Sequence, residues 1–167
     1  VIKAGWEIGL LPTALPEEYG GFGDYSAVTG ALAFEEFAWG DLAVTLEVMT
    51  PNLVAIPLLL CGTEEQESQF LPQFCEEAPP KMTAALTEPA VQFNPYKLRT
   101  TAVRNGDTFV LSGSKTFVPQ ANDAEYILVY AAEDGKTQAF LVPAESEGLT
   151  VGSSRNKLMG INSLPAY

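Results

Sequence analysis

The residue types in this chain narrow its chemistry before any element is placed. It contains no His, which removes Ser-His-Asp and Cys-His catalysis together with the commonest metal ligand. Acid or base work would fall to carboxylates, Lys or Tyr. The carboxylate that stands out is Glu88, in Thr87-Glu88-Pro89 at the end of the apolar run Met82-Thr83-Ala84-Ala85-Leu86. A carboxylate before a proline at a strand end more often orients the following loop than moves protons, and that is the role expected of Glu88. Glu64, Glu65 and Glu67 read as favourable charge at a helix N-terminus rather than as metal ligands, so no metal site is expected. The two cysteines, Cys61 and Cys75, have apolar neighbours and are expected to be reduced and buried in a cytoplasmic protein. There is no G-x-G-x-x-G, P-loop, C-x-x-C or H-E-x-x-H motif.

The overall balance excludes further classes. Asp and Glu number 21 against 9 Lys and Arg, a formal charge of -12, and the basic residues form no patch along the sequence. Nucleic acids and anionic membranes are therefore not expected partners. With 47% apolar and 18% charged residues the composition is globular rather than disordered. Leu42 to Cys61 approaches the roughly 20 apolar residues that a bilayer requires, but it contains Glu47, Pro51, Asn52 and Pro57. A charge and two prolines predict a buried, kinked helix pair instead of a span. The chain opens on Val1 without a signal-peptide pattern and reads as starting inside a longer protein.

The elements that must position these residues change type near Pro80. Val1 to Glu7 reads as a helix with Val1, Ile2 and Trp6 on one face and Gly9 at its end. Leu11 to Asp24 has prolines, glycines and no period, yet carries Tyr19 and Phe22, so an ordered loop is expected. A helix capped by Asp24 or Ser26 carries Val28, Ala31, Leu32, Glu35 and Trp39 at spacings of three and four, and Asp41 caps the apolar helix that follows. Thr63-Glu64-Glu65-Gln66 matches a capping box, and Phe70, Leu71 and Phe74 supply the buried face of the helix it starts.

Beyond Pro80 the chain reads as strands. Leu98 to Arg104 and Thr108 to Ser112 flank the hairpin turn Asn105-Gly106-Asp107. Lys115 to Val118, Tyr126 to Ala131 and Gln138 to Val142 are further expected strands, the last reached through Glu133-Asp134-Gly135-Lys136. The fold class is thus α+β: a helical domain over residues 1–80, then an antiparallel barrel or sandwich domain over 81–167.

The order of the sequence words resembles the acyl-CoA dehydrogenase family of flavoproteins. The words that carry it are Leu15-Pro16-Glu17-Glu18-Tyr19-Gly20-Gly21, Cys61-Gly62-Thr63-Glu64-Glu65-Gln66 with Phe70-Leu71-Pro72, and Leu86-Thr87-Glu88-Pro89. Leu98-Arg99-Thr100-Thr101-Ala102, Leu111 to Val118 and Lys157-Leu158-Met159-Gly160-Ile161 complete the series. The resemblance implies the helical N-terminal domain and middle β domain of that family, truncated at both ends, with a C-terminal helical bundle beyond Tyr167. It implies FAD as cofactor, an acyl-CoA substrate oxidised at Cα–Cβ with hydride transfer to the flavin, and an electron-transfer flavoprotein as acceptor. It also implies a homotetramer or another homo- or hetero-oligomer. The family's catalytic glutamate belongs to the C-terminal part, so no residue here is expected to be catalytic. Ala85, Leu86, Thr87, Phe93, Phe117, Val118 and Pro119 stand at the positions implied to bind the cofactor.

Two places depart from the family pattern. Ala90-Val91-Gln92-Phe93-Asn94 replaces a Gly-Ala-Gly-Ser-Asp loop, and bulky residues there weaken a backbone anion cradle. Pro119 replaces a Thr and brings neither a hydroxyl nor an amide. These departures motivate a second reading, a degenerate non-catalytic subunit that scaffolds a heteromeric dehydrogenase. A stand-alone acyl-thioester binding module is a third.

Overall fold

A computed structural model describes residues 2–10 and 12–152, so Val1 and the Lys157–Ile161 motif lie outside the described residues. The chain separates into two compact units between Met82 and Thr83.

In the first unit, α1 (Ile2–Glu7) ends at Gly9, whose φ of 80° lets its amide fold back on the Trp6 carbonyl at 2.8 Å. A Cβ on Gly5 would overlap the Val48 side chain, so α1 lies hard against the later helix that carries Val48. The Trp6 indole donates to the Cys75 carbonyl at 2.8 Å, tying the two ends of the unit together. The segment after Gly9 is the ordered loop expected from its aromatics. It contains two short 3₁₀ turns, Pro12–Ala14 and Glu17–Tyr19, with Leu15 fully buried and the Tyr19 hydroxyl donating to Glu67 Oε2 at 2.9 Å.

Helix α2 (Ala27–Gly40) is capped by Ser26, whose hydroxyl accepts from the Thr29 amide. Its apolar spacing misleads, because Val28, Ala31, Leu32, Glu35 and Trp39 are all exposed and the half-buried residues are Ala33, Phe34 and Ala38. Asp41 accepts from the Val44 amide at 3.0 Å and starts α3 (Leu42–Met49), which bends by 43° into α4 (Asn52–Cys61). The kinked pair is as expected, and Ala43, Val48, Val54, Ala55 and Leu58 are buried. Among the described residues no single helix is long and apolar enough to cross a membrane. The capping box closes α5 (Glu64–Phe70), with the Gln66 amide donating to the Thr63 hydroxyl at 3.3 Å and the Thr63 amide to Gln66 Oε1 at 3.0 Å. A 3₁₀ turn, Leu71–Cys75, then buries Leu71 and Phe74. Each large side chain so buried contributes roughly 1.5–3 kcal/mol. The expectation of buried cysteines is corrected at Cys61, which is exposed at the end of α4, while Cys75 is half-buried; both are free thiols.

The second unit is a sheet built from β1 (Met82–Ala85), β2 (Thr101–Asn105), β3 (Thr108–Ser112), β4 (Tyr126–Glu133) and β5 (Lys136–Pro143). The β2–β3 hairpin turns through Gly106 at φ 63°. The β4–β5 hairpin pairs Tyr126 with Pro143 through Glu133 with Lys136, and its two-residue turn has positive φ at both Asp134 and Gly135. Because β5 occupies one edge of β4 along its whole length, β1 and β2 must share the other. The β2–β4 contact is parallel, Thr101 opposite Ala132, while β2–β3 and β4–β5 are antiparallel, so the sheet is mixed. Ala85, Val118, Ala121 and Ile127 form its small core, with Ala124, Val129, Leu149 and Val151 packed against them.

Two strand expectations are corrected. Leu98, Arg99 and Thr100 precede β2 instead of belonging to it, because the amides of Arg99 and Thr100 are spent on the Glu88 carboxylate rather than on a ladder. Lys115 to Val118 is not a strand either, because Phe117 at φ 55° breaks the extended run.

Candidate functional site

A dense set of polar contacts lies where β1 runs out. Small and β-branched residues let Met82–Ala85 pair as a buried strand, and Pro89 cannot extend the ladder. Glu88 is buried, 5% exposed, and both of its carboxylate oxygens are partnered. Its Oε2 accepts from the Arg99 amide at 2.8 Å, and its Oε1 accepts from the Thr100 amide at 2.8 Å and from Lys115 Nζ at 3.0 Å. Lys115 Nζ also donates to the Leu86 carbonyl at 3.1 Å. One residue further on, the Thr116 amide donates to the Thr87 carbonyl at 2.9 Å. Residues 86–88 and 115–116 are thus laced together although neither segment is a strand.

Burial pushes the Glu88 carboxyl up, but the amides of Arg99 and Thr100 and the Lys115 ammonium outweigh it and bring it down to about 2. A carboxylate this weakly basic, with its lone pairs engaged, is no general base at neutral pH. It organises the loop, as its place before Pro89 predicts.

The residues expected to bind a cofactor are distributed around this lacing. Ala85 and Val118 point their side chains into the core cluster and can offer a ligand only backbone atoms. Leu86, Thr87 and Pro119 are half-buried, and Pro119 has no N–H to give. Phe117 is 46% exposed and stands in the left-handed region at φ 55°, a costly state for an aromatic residue. The Thr116–Thr87 bond and the Ala85–Val118 packing bring these two groups together. Phe93 belongs to a separate turn, in which Asn94 Oδ1 accepts from the Tyr96 amide at 2.9 Å and the Thr137 hydroxyl anchors the Pro95 carbonyl at 2.6 Å. Phe93 is not part of the core cluster.

Lys115 is the residue that sequence reasoning missed. It lies 29 residues from Leu86, and no periodicity links the two positions. Two sequence signals bear on it: Lys115 is the lysine of the family word Leu111 to Val118, and a buried carboxylate such as Glu88 demands a charged or amide partner somewhere in the chain.

The exposed Phe117 ring and the half-buried Thr87 offer an aromatic surface and a hydroxyl, the kinds of group that a flat, polar-rimmed ring such as a flavin would take. The donor set is lean, and Phe117 and Thr87 would carry most of the side-chain contact.

Comparison with known proteins shows the family. Residues 1–78 match the family described as acyl-CoA dehydrogenase, N-terminal domain, and residues 83–167 match acyl-CoA dehydrogenase, middle domain. A probable acyl-CoA dehydrogenase of Bacillus subtilis is 35% identical over 166 residues, which is 96% of this chain and 27% of that protein. The butyryl-CoA dehydrogenase of Megasphaera elsdenii superposes with a TM-score of 0.81 at 30% identity, over 99% of this chain and 45% of that one. An acyl-CoA dehydrogenase of Bacillus anthracis, solved with FAD, gives 0.78 at 30% identity over 99% of this chain and 28% of that one. The chain therefore spans between about a quarter and a half of the relatives that it matches.

Proposed function

Since this chain belongs to the acyl-CoA dehydrogenase family, we propose that it is the N-terminal and middle part of an FAD-dependent enzyme that oxidises the Cα–Cβ bond of an acyl-CoA thioester. The observation that carries the reading is the bond from the Thr116 amide to the Thr87 carbonyl, which joins the segment after β1 to the one that bears the left-handed, exposed Phe117. FAD, when bound, supplies the acceptor for the hydride that leaves the β-carbon. This chain's own residues bind and orient. The Phe117 ring covers one side and excludes water, the Thr87 hydroxyl and the backbone of Leu86 supply polar contacts, and Glu88 and Lys115 hold those segments still. None of them takes the substrate α-proton, because Glu88 is engaged with two amides and a lysine.

The acceptor for the reduced enzyme would be an electron-transfer flavoprotein, and the protein would work as an oligomer in the cytoplasm. The test is the visible spectrum of the purified full-length protein. A bound flavin band that bleaches on adding an acyl-CoA is the expected result. Absence of the band with no uptake of added FAD would sink the reading. The scaffold alternative draws on Pro119, which withholds an amide, and on the bulky 90–94 loop, in which Val91 is fully exposed. Turnover of an acyl-CoA by the full-length protein alone, with an artificial electron acceptor, would exclude it.

A further inference from the structure

We propose that the buried Glu88–Lys115 pair is a positioning pair: it fixes residues 116–118 against the end of β1 and so holds Phe117 in the left-handed conformation that presents its ring to the cofactor. The proposal rests on the flavin reading above but is tested separately from it.

Three observations carry it. First, both charged side chains are sequestered, with side-chain exposures of 9% for Lys115 and 5% for Glu88. A buried pair is weak evidence for stability, since well-packed apolar residues often serve as well, whereas it can set the register of the segments that it joins. Secondly, residues 86–88 and 115–116 lie outside the described strands. The two segments share one backbone bond, from the Thr116 amide to the Thr87 carbonyl, and Lys115 Nζ adds two acceptors on the other segment, the Leu86 carbonyl and Glu88 Oε1. Thirdly, Phe117 sits immediately beyond this joint at φ 55°, and a bulky residue keeps such a conformation only when its surroundings over-determine it. Thr116 is held on one side by its bond to Thr87 and Val118 on the other by the core, so the backbone is fixed on both sides of Phe117. Glu88 completes the arrangement by anchoring the amides of Arg99 and Thr100, which makes the carboxylate a fixed post for Lys115.

The experiment compares full-length wild type with Lys115→Arg and with the double variant Glu88→Gln/Lys115→Met. The double variant removes both charges and keeps an oxygen acceptor for one of the two amides. Amide hydrogen exchange is followed residue by residue, and FAD is titrated while its visible band is recorded. The expected result is a double variant whose exchange rises at least tenfold at Thr116, Phe117 and Val118 while β4 and β5 stay protected. Its FAD binding weakens about tenfold and the fine structure of the bound flavin band blurs. Lys115→Arg, which keeps the charge pair, recovers most of both. Protection and FAD affinity equal to wild type in the double variant would overturn the proposal. Loss of protection spread evenly along the chain would also overturn it, because the pair would then be merely structural. If wild type takes up no FAD, the proposed function falls, and exchange alone decides: a loss focused on residues 116–118 upholds the positioning role, and unchanged protection there removes it.

Discussion

Glu88 shows how one side chain can be named from sequence and still not be understood from it. Its place between Thr87 and Pro89 marks a strand end, but its partners come from 11, 12 and 27 residues away. The consequence is a pH dependence with a definite sign. The carboxyl falls from an ordinary 4.5 to about 2 in the fold, so its contribution is complete above pH 4.5 and is lost as pH drops toward 2. A shift of that size corresponds to about 3 kcal/mol, and urea titrations between pH 5 and pH 2 should record most of that loss in the wild type and little of it in Glu88→Gln. Gly113 supports the same corner. A Cβ there would stand 2.5 Å from Thr100 Oγ1 and 2.7 Å from Thr100 Cα, so Gly113→Ala should destabilise by roughly 1–3 kcal/mol in chemical denaturation. Thr83 offers the opposite case. Its hydroxyl is buried with no hydrogen-bond partner, and Thr83→Val should raise stability by about 1 kcal/mol in the same assay, since the methyl costs nothing to desolvate.

Elements were legible where a local rule decides them. The capping box over Thr63–Gln66, the cap at Asp41 and both hairpin turns formed as read, because each is settled within four residues. Thr63→Ala should accordingly cost about 1 kcal/mol in thermal melts, the usual worth of an N-cap. Elements failed to follow the sequence where distant atoms outbid the local preference. Lys115–Val118 has the β-branched and aromatic content of a strand, yet the contacts to Leu86, Thr87 and Glu88 draw it out of any ladder. Helix α2 shows a second kind of failure, since periodicity finds a stripe but does not say which way it faces. Val28, Leu32 and Trp39 are 71%, 59% and 92% exposed. Leu32→Gln should therefore shift the stability of this chain by no more than about 0.5 kcal/mol, and a larger loss in a denaturant titration would contradict the exposed face.

At the scale of the molecule, charge and composition constrain the partners. A net charge of -12 with no basic run along the sequence predicts that this chain passes unretained through immobilised DNA even at low salt, and retention there would contradict that charge argument. Family and architecture were readable because they rest on ordered local words: caps, prolines, turns and the Thr-Glu-Pro strand end, each fixed by the conformations open to a few adjacent residues. The candidate site was readable only as a set of positions. Tertiary structure decided that Ala85 and Val118 turn into the core, that Phe93 rides on a separate turn, and that Lys115 closes on Glu88 beside a left-handed Phe117. The physical reason is range. Local conformation follows from neighbours in the chain, whereas a buried charge takes whichever partner the fold brings within about 3 Å, and that partner carries no mark in the sequence.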